Sequence, residues 1–235
     1  MKISIIIPAY NESENIGRLI EYLIKNANLN LAEIIISDGS SEDDTLKVAR
    51  SAGAIAVSCP ERGRSAQMNY GASLAKGEIF YFVHADTLPP DSYFSDILSA
   101  ISEGYEIGRY LSKYTSNSWL LKINALLSRI DTFAAMGGDQ TLFISKVLFQ
   151  KTDGFNNSMK IMEEFEFCER ARRHGKYKII NKSVLISARK YDSNGWLKVQ
   201  LANFTVLRMY KKGARQESMV NRYKEMLNYP KLKSR

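Results

Sequence analysis

The residues with the most chemical capacity in this 235-residue chain sit in short clusters that follow apolar runs. Pro8-Ala9-Tyr10-Asn11-Glu12, Asp38-Gly39-Ser40-Ser41 and His84-Ala85-Asp86 supply carboxylates, hydroxyls and an imidazole at three such places. Arg62 and Arg64 flank Gly63, just ahead of a helical stretch that carries Gln67 and Asn69. Guanidinium groups bind phosphate oxygens in pairs, and a helix N-terminus adds a favourable dipole, so this segment suits a phosphate or ribose. Solvated loop arginines are the plain alternative. Glu163-Glu164 put two carboxylates at the start of a charged segment, where acidic side chains also suit the helix dipole. Each cluster has an ordinary reading, because Pro, Asn, Asp, Gly and Ser are turn and cap residues. Three such clusters at one edge of a sheet favour a site.

Periodicity identifies the elements that must hold them. Residues 2–7 form a β-branched run ended by Pro8, and residues 14–25 place Ile16, Leu19, Ile20, Leu23 and Ile24 at helical spacing. The unit recurs: strands are expected at 33–37, 54–58 and 78–83, helices at 43–51 and 65–75. Strands alternating with helices predict an α/β protein with a parallel sheet, and such sheets bind ligands beyond the carboxyl ends of their strands, where the three loops fall. Alternation along a strand puts residues 84 and 86 on one side. Beyond residue 91 the pattern loosens: helices at 91–103, 119–130 and 163–174, a polar and aromatic loop at 105–115, a strand at 141–144 after Gly137-Gly138, and a strand-like segment at 177–186. With no linker or repeat, the reading is one domain over 1–190 and a helical extension over 191–235.

Composition narrows the class. At 45% hydrophobic and 25% charged residues the chain is an ordinary globular protein, and disorder or fibrous repeats are excluded. The net charge of +8 is uneven: residues 1–169 carry −7 and residues 170–235 carry +15. Two distant cysteines, Cys59 and Cys168, suggest neither a disulfide framework nor a zinc site. The opening apolar run is too short for a signal peptide, and no apolar stretch reaches the roughly 18 residues of a membrane span, so a cytoplasmic location is the default expectation. Residues 195–210 read as an apolar helix followed by Lys211, Lys212 and Arg215. Such a helix suits an anionic membrane surface at the inner face of the membrane, a homodimer interface, or packing on the domain itself. Nucleic acid is not expected as a partner, since a reader of RNA or DNA carries a recognition motif or stacking platform and none is present. Dinucleotide-binding and P-loop glycine patterns are absent too.

Taken in order, Ile5-Ile6-Ile7-Pro8-Ala9-Tyr10-Asn11-Glu12, Ser37-Asp38-Gly39-Ser40 with Asp44-Thr45, His84-Ala85-Asp86, Gly138-Asp139-Gln140, Gly154-Phe155 and Met162-Glu163-Glu164 resemble the inverting family 2 glycosyltransferases. The resemblance extends over residues 2–190 and implies the GT-A fold: a mostly parallel central sheet with helices on both faces, here with a C-terminal helical extension. Within the family the chain is most similar to a small bacterial subgroup with Gly63-Arg64-Ser65-Ala66-Gln67-Met68-Asn69 and a His-Ala-Asp-Thr metal motif.

The resemblance implies transfer of a sugar from a nucleoside-diphosphate sugar to an acceptor hydroxyl, with a divalent ion, Mn²⁺ or Mg²⁺. It implies donor contacts from Pro8, Tyr10, Glu12, Asp38, Arg62, Arg64, Gln67, Asn69 and Asp139. Asp86 falls on the metal ligand, with His84, in place of a carboxylate, as a second candidate; Mn²⁺ tolerates an imidazole better than Mg²⁺ does. The general base falls on Glu164, where the family usually has Asp, with Glu163 as the neighbouring candidate. The alternative that these two departures leave open is a donor-binding protein without turnover. A lipid-linked acceptor fits the membrane reading of the tail.

Overall fold

The computed structural model describes residues 1–28, 30–132 and 140–228. The chain alternates β1 (Ile3–Ala9), α1 (Ser13–Lys25), β2 (Ala32–Asp38), α2 (Thr45–Ser51), β3 (Ile55–Ser58), α3 (Arg64–Leu74) and β4 (Ile79–Phe82). There follow β5 (Thr87–Leu88), α4 (Tyr93–Ser102), β6 (Ile107–Tyr114), α5 (Trp119–Leu127), β7 (Leu142–Ser145), α6 (Lys146–Lys151), α7 (Glu163–Ala171), β8 (Tyr177–Ile186), α8 (Arg189–Asn194), α9 (Trp196–Lys211) and α10 (Gln216–Met226). The eight strands form one sheet in the order β3-β2-β1-β4-β7-β6-β8-β5. The pairs β3/β2, β2/β1, β1/β4 and β6/β8 are parallel, and β7 runs antiparallel between β4 and β6.

Alternation along β1 sorts its isoleucines to two faces. Ile3, Ile5 and Ile7 join a core closed by Ile16, Leu19, Ile20 and Leu23 of α1 and Ile97 of α4. Ile6 faces a second core with Met68 of α3 and Phe167 and Cys168 of α7. Helices on both faces explain why β1, apart from Ser4, and β4 are buried and largely apolar rather than alternating. Among the described residues no helix is long and apolar enough to cross a membrane.

One expectation fails. The segment read as a polar loop, 105–115, is the inner strand β6, and Arg109, Tyr110 and Ser112 on it are buried. Its charged and hydroxyl residues broke the apolar signature, although β-branched and aromatic residues between them suit a strand. The C-terminal helices pack on the domain: Val199 and Ala202 of α9 cluster with Leu121 of α5 and Tyr191 of α8. The opposite side of α9 leaves Leu197, Leu201 and Phe204 exposed.

Candidate active site

At the carboxyl edge, β1 and β2 end in step, with Pro8 opposite Ser37 and Ala9 opposite Asp38. Carbonyls at their ends are strapped together by Gln67 of α3, whose Nε2 donates to Ala9 O at 2.7 Å and to Ser37 O, one residue before the end of β2, at 2.9 Å. Gly39 makes room for that amide, since a Cβ there would stand 2.9–3.1 Å from its atoms. Gln67, expected among the donor contacts, thus spends its N–H groups on the scaffold. Asp38 is buried, and its carboxylate accepts from the Ser41 N–H at 2.9 Å and from the Ser41 hydroxyl. Asn11, with φ of 50°, receives Glu42 N–H on its Oδ1 at 2.8 Å and donates its own N–H to Ser41 Oγ at 2.8 Å. The first two loops are therefore one hydrogen-bonded unit, with Pro8 and Tyr10 partly exposed on it.

The carboxylate pair arrives on the opposite wall. Met162 takes a left-handed conformation, φ 68°, and turns the chain into α7. Its side chain is buried with Met159, Val206 of α9 and Met219 of α10. The helix is held against the sheet by Phe155 and Phe167, whose rings lie 4.3 Å apart. Arg170 adds bonds to Glu166 at 2.7 Å and to Gly154 O at 2.8 Å. Asn69 grips the same loop, donating to Phe155 O at 2.7 Å and accepting from Phe155 N–H at 2.9 Å.

Both glutamates are buried and each meets a cation from the donor side. Glu163 lies 3.1 Å from Arg64 Nη1, and Glu164 lies 2.7 Å from His84 Nε2. Burial alone would depress the imidazole pKa, but the charge of Glu164 and its hydrogen bond outweigh it and raise His84 above the ordinary value. This pairing engages the Nε2 of His84, and His84 and Asp86 lie in no cluster of three metal-binding side chains among the described residues.

Asp86 itself is partly exposed and has a neighbour that motif reasoning missed. Thr87 pairs with Ile186, and Ser187 N–H donates to Asp86 O at 3.2 Å. This ladder carries Arg189, the first residue of α8, over the strand end. Its Nη2 stands 3.5 Å from Asp86 Oδ2 and 4.0 Å from Glu12 Oε2. Two hard carboxylates from separate loops thus converge on one cation. That donor set fits a divalent ion completed by diphosphate oxygens and water, as Mg²⁺ and Mn²⁺ favour. Of the other expected contacts, Arg62 is exposed, Asn69 is turned into the 154–157 loop, and Asp139 lies outside the described residues.

This architecture is the GT-A fold of nucleotide-diphospho-sugar transferases. It superposes on S. aureus TarS 1-349 with a TM-score of 0.68 at 16% identity, covering 97% of this chain and 71% of that one. It also superposes on the mannosyltransferase PcManGT from Pyrobaculum calidifontis in complex with GDP-Man and Mn²⁺, with a TM-score of 0.70 at 15% identity, over 90% of this chain and 64% of that one. The chain belongs to glycosyl transferase family 2, whose model matches residues 4–153. It is 31% identical over 128 residues to a dolichol-phosphate mannosyltransferase of Pyrococcus furiosus, covering 51% of this chain and 36% of that protein. It is 26% identical over 142 residues to an undecaprenyl-phosphate 4-deoxy-4-formamido-L-arabinose transferase of Proteus mirabilis, covering 54% and 44%. The matched stretch spans less than half the length of these curated relatives.

Proposed function

We propose that the chain moves a sugar from a nucleoside-diphosphate sugar to an acceptor hydroxyl, with inversion at the anomeric carbon and with Mn²⁺ or Mg²⁺. The observation that carries this reading is the meeting of the α7 carboxylates with Arg64 and His84 at the carboxyl edge of the sheet. The first loop and Asp38 bind base and ribose, Asp38 exchanging its Ser41 contacts for donor N–H or O–H groups. Arg64 faces the diphosphate, and Glu163 aims it. Glu164 takes the acceptor proton as that oxygen attacks the anomeric carbon and the bond to the diphosphate breaks. His84 orients the Glu164 carboxylate, which sets the longer side chain that stands where the family usually has Asp. Asp86, with Glu12 nearby, would hold the divalent ion, which when bound neutralises charge growing on the leaving diphosphate. His-Ala-Asp-Thr at residues 84–87 supports membership of the bacterial subgroup described above.

Residues 1–190 are read as the catalytic unit and 191–235 as the extension. A lipid-linked acceptor is supported by the names of the two curated relatives, both of which refer to polyprenol phosphates. It is also supported by exposed Trp119 and Leu126 on α5 and Leu201 and Phe204 on α9, beside Lys198, Arg208 and Lys211. Those helices are linked by Trp196 Nε1 donating to Asn124 Oδ1 at 3.2 Å. Flotation with vesicles containing anionic lipid tests peripheral attachment. Binding that ignores both lipid charge and salt contradicts it, and concentration-dependent dimerisation instead assigns the face to a second copy.

Thermal stabilisation by UDP, GDP, dTDP and CDP, with and without Mn²⁺, tests the donor site. At least one nucleotide should raise the unfolding temperature in a Mn²⁺-dependent way; none doing so overturns the reading. Binding without product from any sugar nucleotide and acceptor mixture points to a donor-binding protein without turnover.

A further inference from the structure

We infer that Arg189 is a built-in counter-ion of the metal site, one that competes with a divalent ion alone and assists it once a diphosphate is present. The inference rests on the donor-site reading above and concerns a residue outside the glycosyltransferase motifs. Its basis is geometric. Glu12 follows β1 and Asp86 follows β4, and both are acidic groups at the mouth of the site; Glu12 is 5% exposed. The Arg189 guanidinium stands between them, 3.5 Å from Asp86 and 4.0 Å from Glu12, with its Nε donating to Ser187 Oγ at 3.1 Å. Without that positive charge the two carboxylates would repel each other and any neighbouring anion.

The guanidinium stands against the same Asp86 carboxylate that would hold a divalent ion, and like charges close together are unfavourable. A metal arriving alone must displace Arg189 and leave it beside a second cation. A metal arriving with a nucleoside diphosphate brings anionic oxygens on which the displaced guanidinium can make its paired hydrogen bonds. Arg189 is half-exposed, so it can swing without disturbing the core. Its backbone is held by α8, whose Tyr191 packs on Tyr114 with ring centroids 5.6 Å apart. The consequence is positive coupling: metal and nucleotide each strengthen the other's binding, and Arg189 supplies part of that coupling free energy.

The test is a comparison of wild type with Arg189→Gln and Arg189→Lys. Free Mn²⁺ is measured by electron paramagnetic resonance, without nucleotide and with UDP or GDP, whichever stabilises the wild type more. Arg189→Gln should bind Mn²⁺ alone about threefold to tenfold more tightly, yet bind nucleotide in the presence of Mn²⁺ about tenfold more weakly, so that the coupling shrinks. Arg189→Lys, which keeps the charge and loses the fork, should retain the weak binding of Mn²⁺ alone and recover only part of the nucleotide affinity. Unaltered or weaker Mn²⁺ binding by Arg189→Gln, or undiminished coupling, overturns the inference while leaving the donor site standing. Failure of every nucleotide to bind wild type overturns the donor site itself, and the inference with it. Circular dichroism of the variants should match wild type, as expected for a half-exposed side chain.

Discussion

Strand β2 carries a carboxylate at each end, and the two are used in opposite ways. Near its start, Glu33 accepts from Ser4 Oγ at 2.6 Å, Lys76 N–H at 2.7 Å and Gly77 N–H at 3.2 Å, with Lys2 Nζ at 3.5 Å. Several of these partners are backbone groups or buried hydroxyls that cannot leave without unfolding the β1 and β4 entries. At its end, Asp38 is held by the hydroxyl and N–H of a turn serine, and the neighbouring carboxylates Glu163, Glu164, Asp86 and Glu12 face the side chains of Arg64, His84 and Arg189. The amino edge of the sheet locks its charge in place. The carboxyl edge pairs its charge with side chains, which on the proposed reading a ligand replaces. Burial does not separate the two edges, since Glu33, Asp38, Glu163 and Glu164 are all largely shielded; exchangeability of the partner does.

The contrast can be broken most forcefully at Glu164. Glu164→Gln should cut turnover by on the order of 10²–10⁴ while preserving the nucleotide-induced thermal shift. Retained turnover would move the base to Glu163, and a lost thermal shift would make Glu164 part of the scaffold. Asp86→Ala should next abolish the Mn²⁺-dependent part of nucleotide stabilisation and leave the unliganded protein folded, as measured by the same unfolding curves. Glu33→Gln should do the reverse, lowering stability by about 1–3 kcal/mol while leaving nucleotide binding unchanged.

The smallest effect is a pH dependence. Burial by itself raises the Glu33 pKa, but hydrogen bonds from Ser4 and Lys76 and the Lys2 charge outweigh it and hold the net value below the ordinary one. A depressed carboxylate stabilises the fold above its unfolded pKa, and that contribution fades as pH falls through the folded pKa. The stability gap between wild type and Glu33→Gln should therefore be widest near neutrality and close on acidification. Urea titrations at a series of pH values would measure it, and a gap that widens in acid would contradict the lock.

The sheet's first half was legible because long β-branched runs such as residues 3–7 leave little choice of element, and the amphipathic stripe of α1 separates them cleanly. Strand β6 was not, because Arg109 and Ser112 are buried polar residues, and composition registers polarity without knowing burial. At the site, motif order pointed to Asp38, Asp86, Glu163 and Glu164, and the fold brings these residues to the carboxyl edge of the sheet. Their partners are another matter. His84 meets Glu164, and Arg189 meets Asp86, only through chain reversal across the sheet, and no local spacing encodes that distance. Arg189 also sat inside the basic C-terminal block, where a single functional cation is indistinguishable from its neighbours. The signal that would have singled it out is its place at a helix start directly after a strand that pairs with β5.

The left-handed turn at Met162 ties the C-terminal helices to the start of α7. A non-glycine residue in that conformation is unfavourable by about 1–2 kcal/mol, and what offsets it here is the pocket formed by Met159, Val206 and Met219. Two of these four side chains come from α9 and α10. The bend that presents Glu163 and Glu164 is thus packed from behind by α9 and α10. In the language of inheritance, a lineage that trimmed or exchanged its tail would also have to re-engineer the bend in front of α7, so the tail and the α7 carboxylates are expected to travel through descent as one trait.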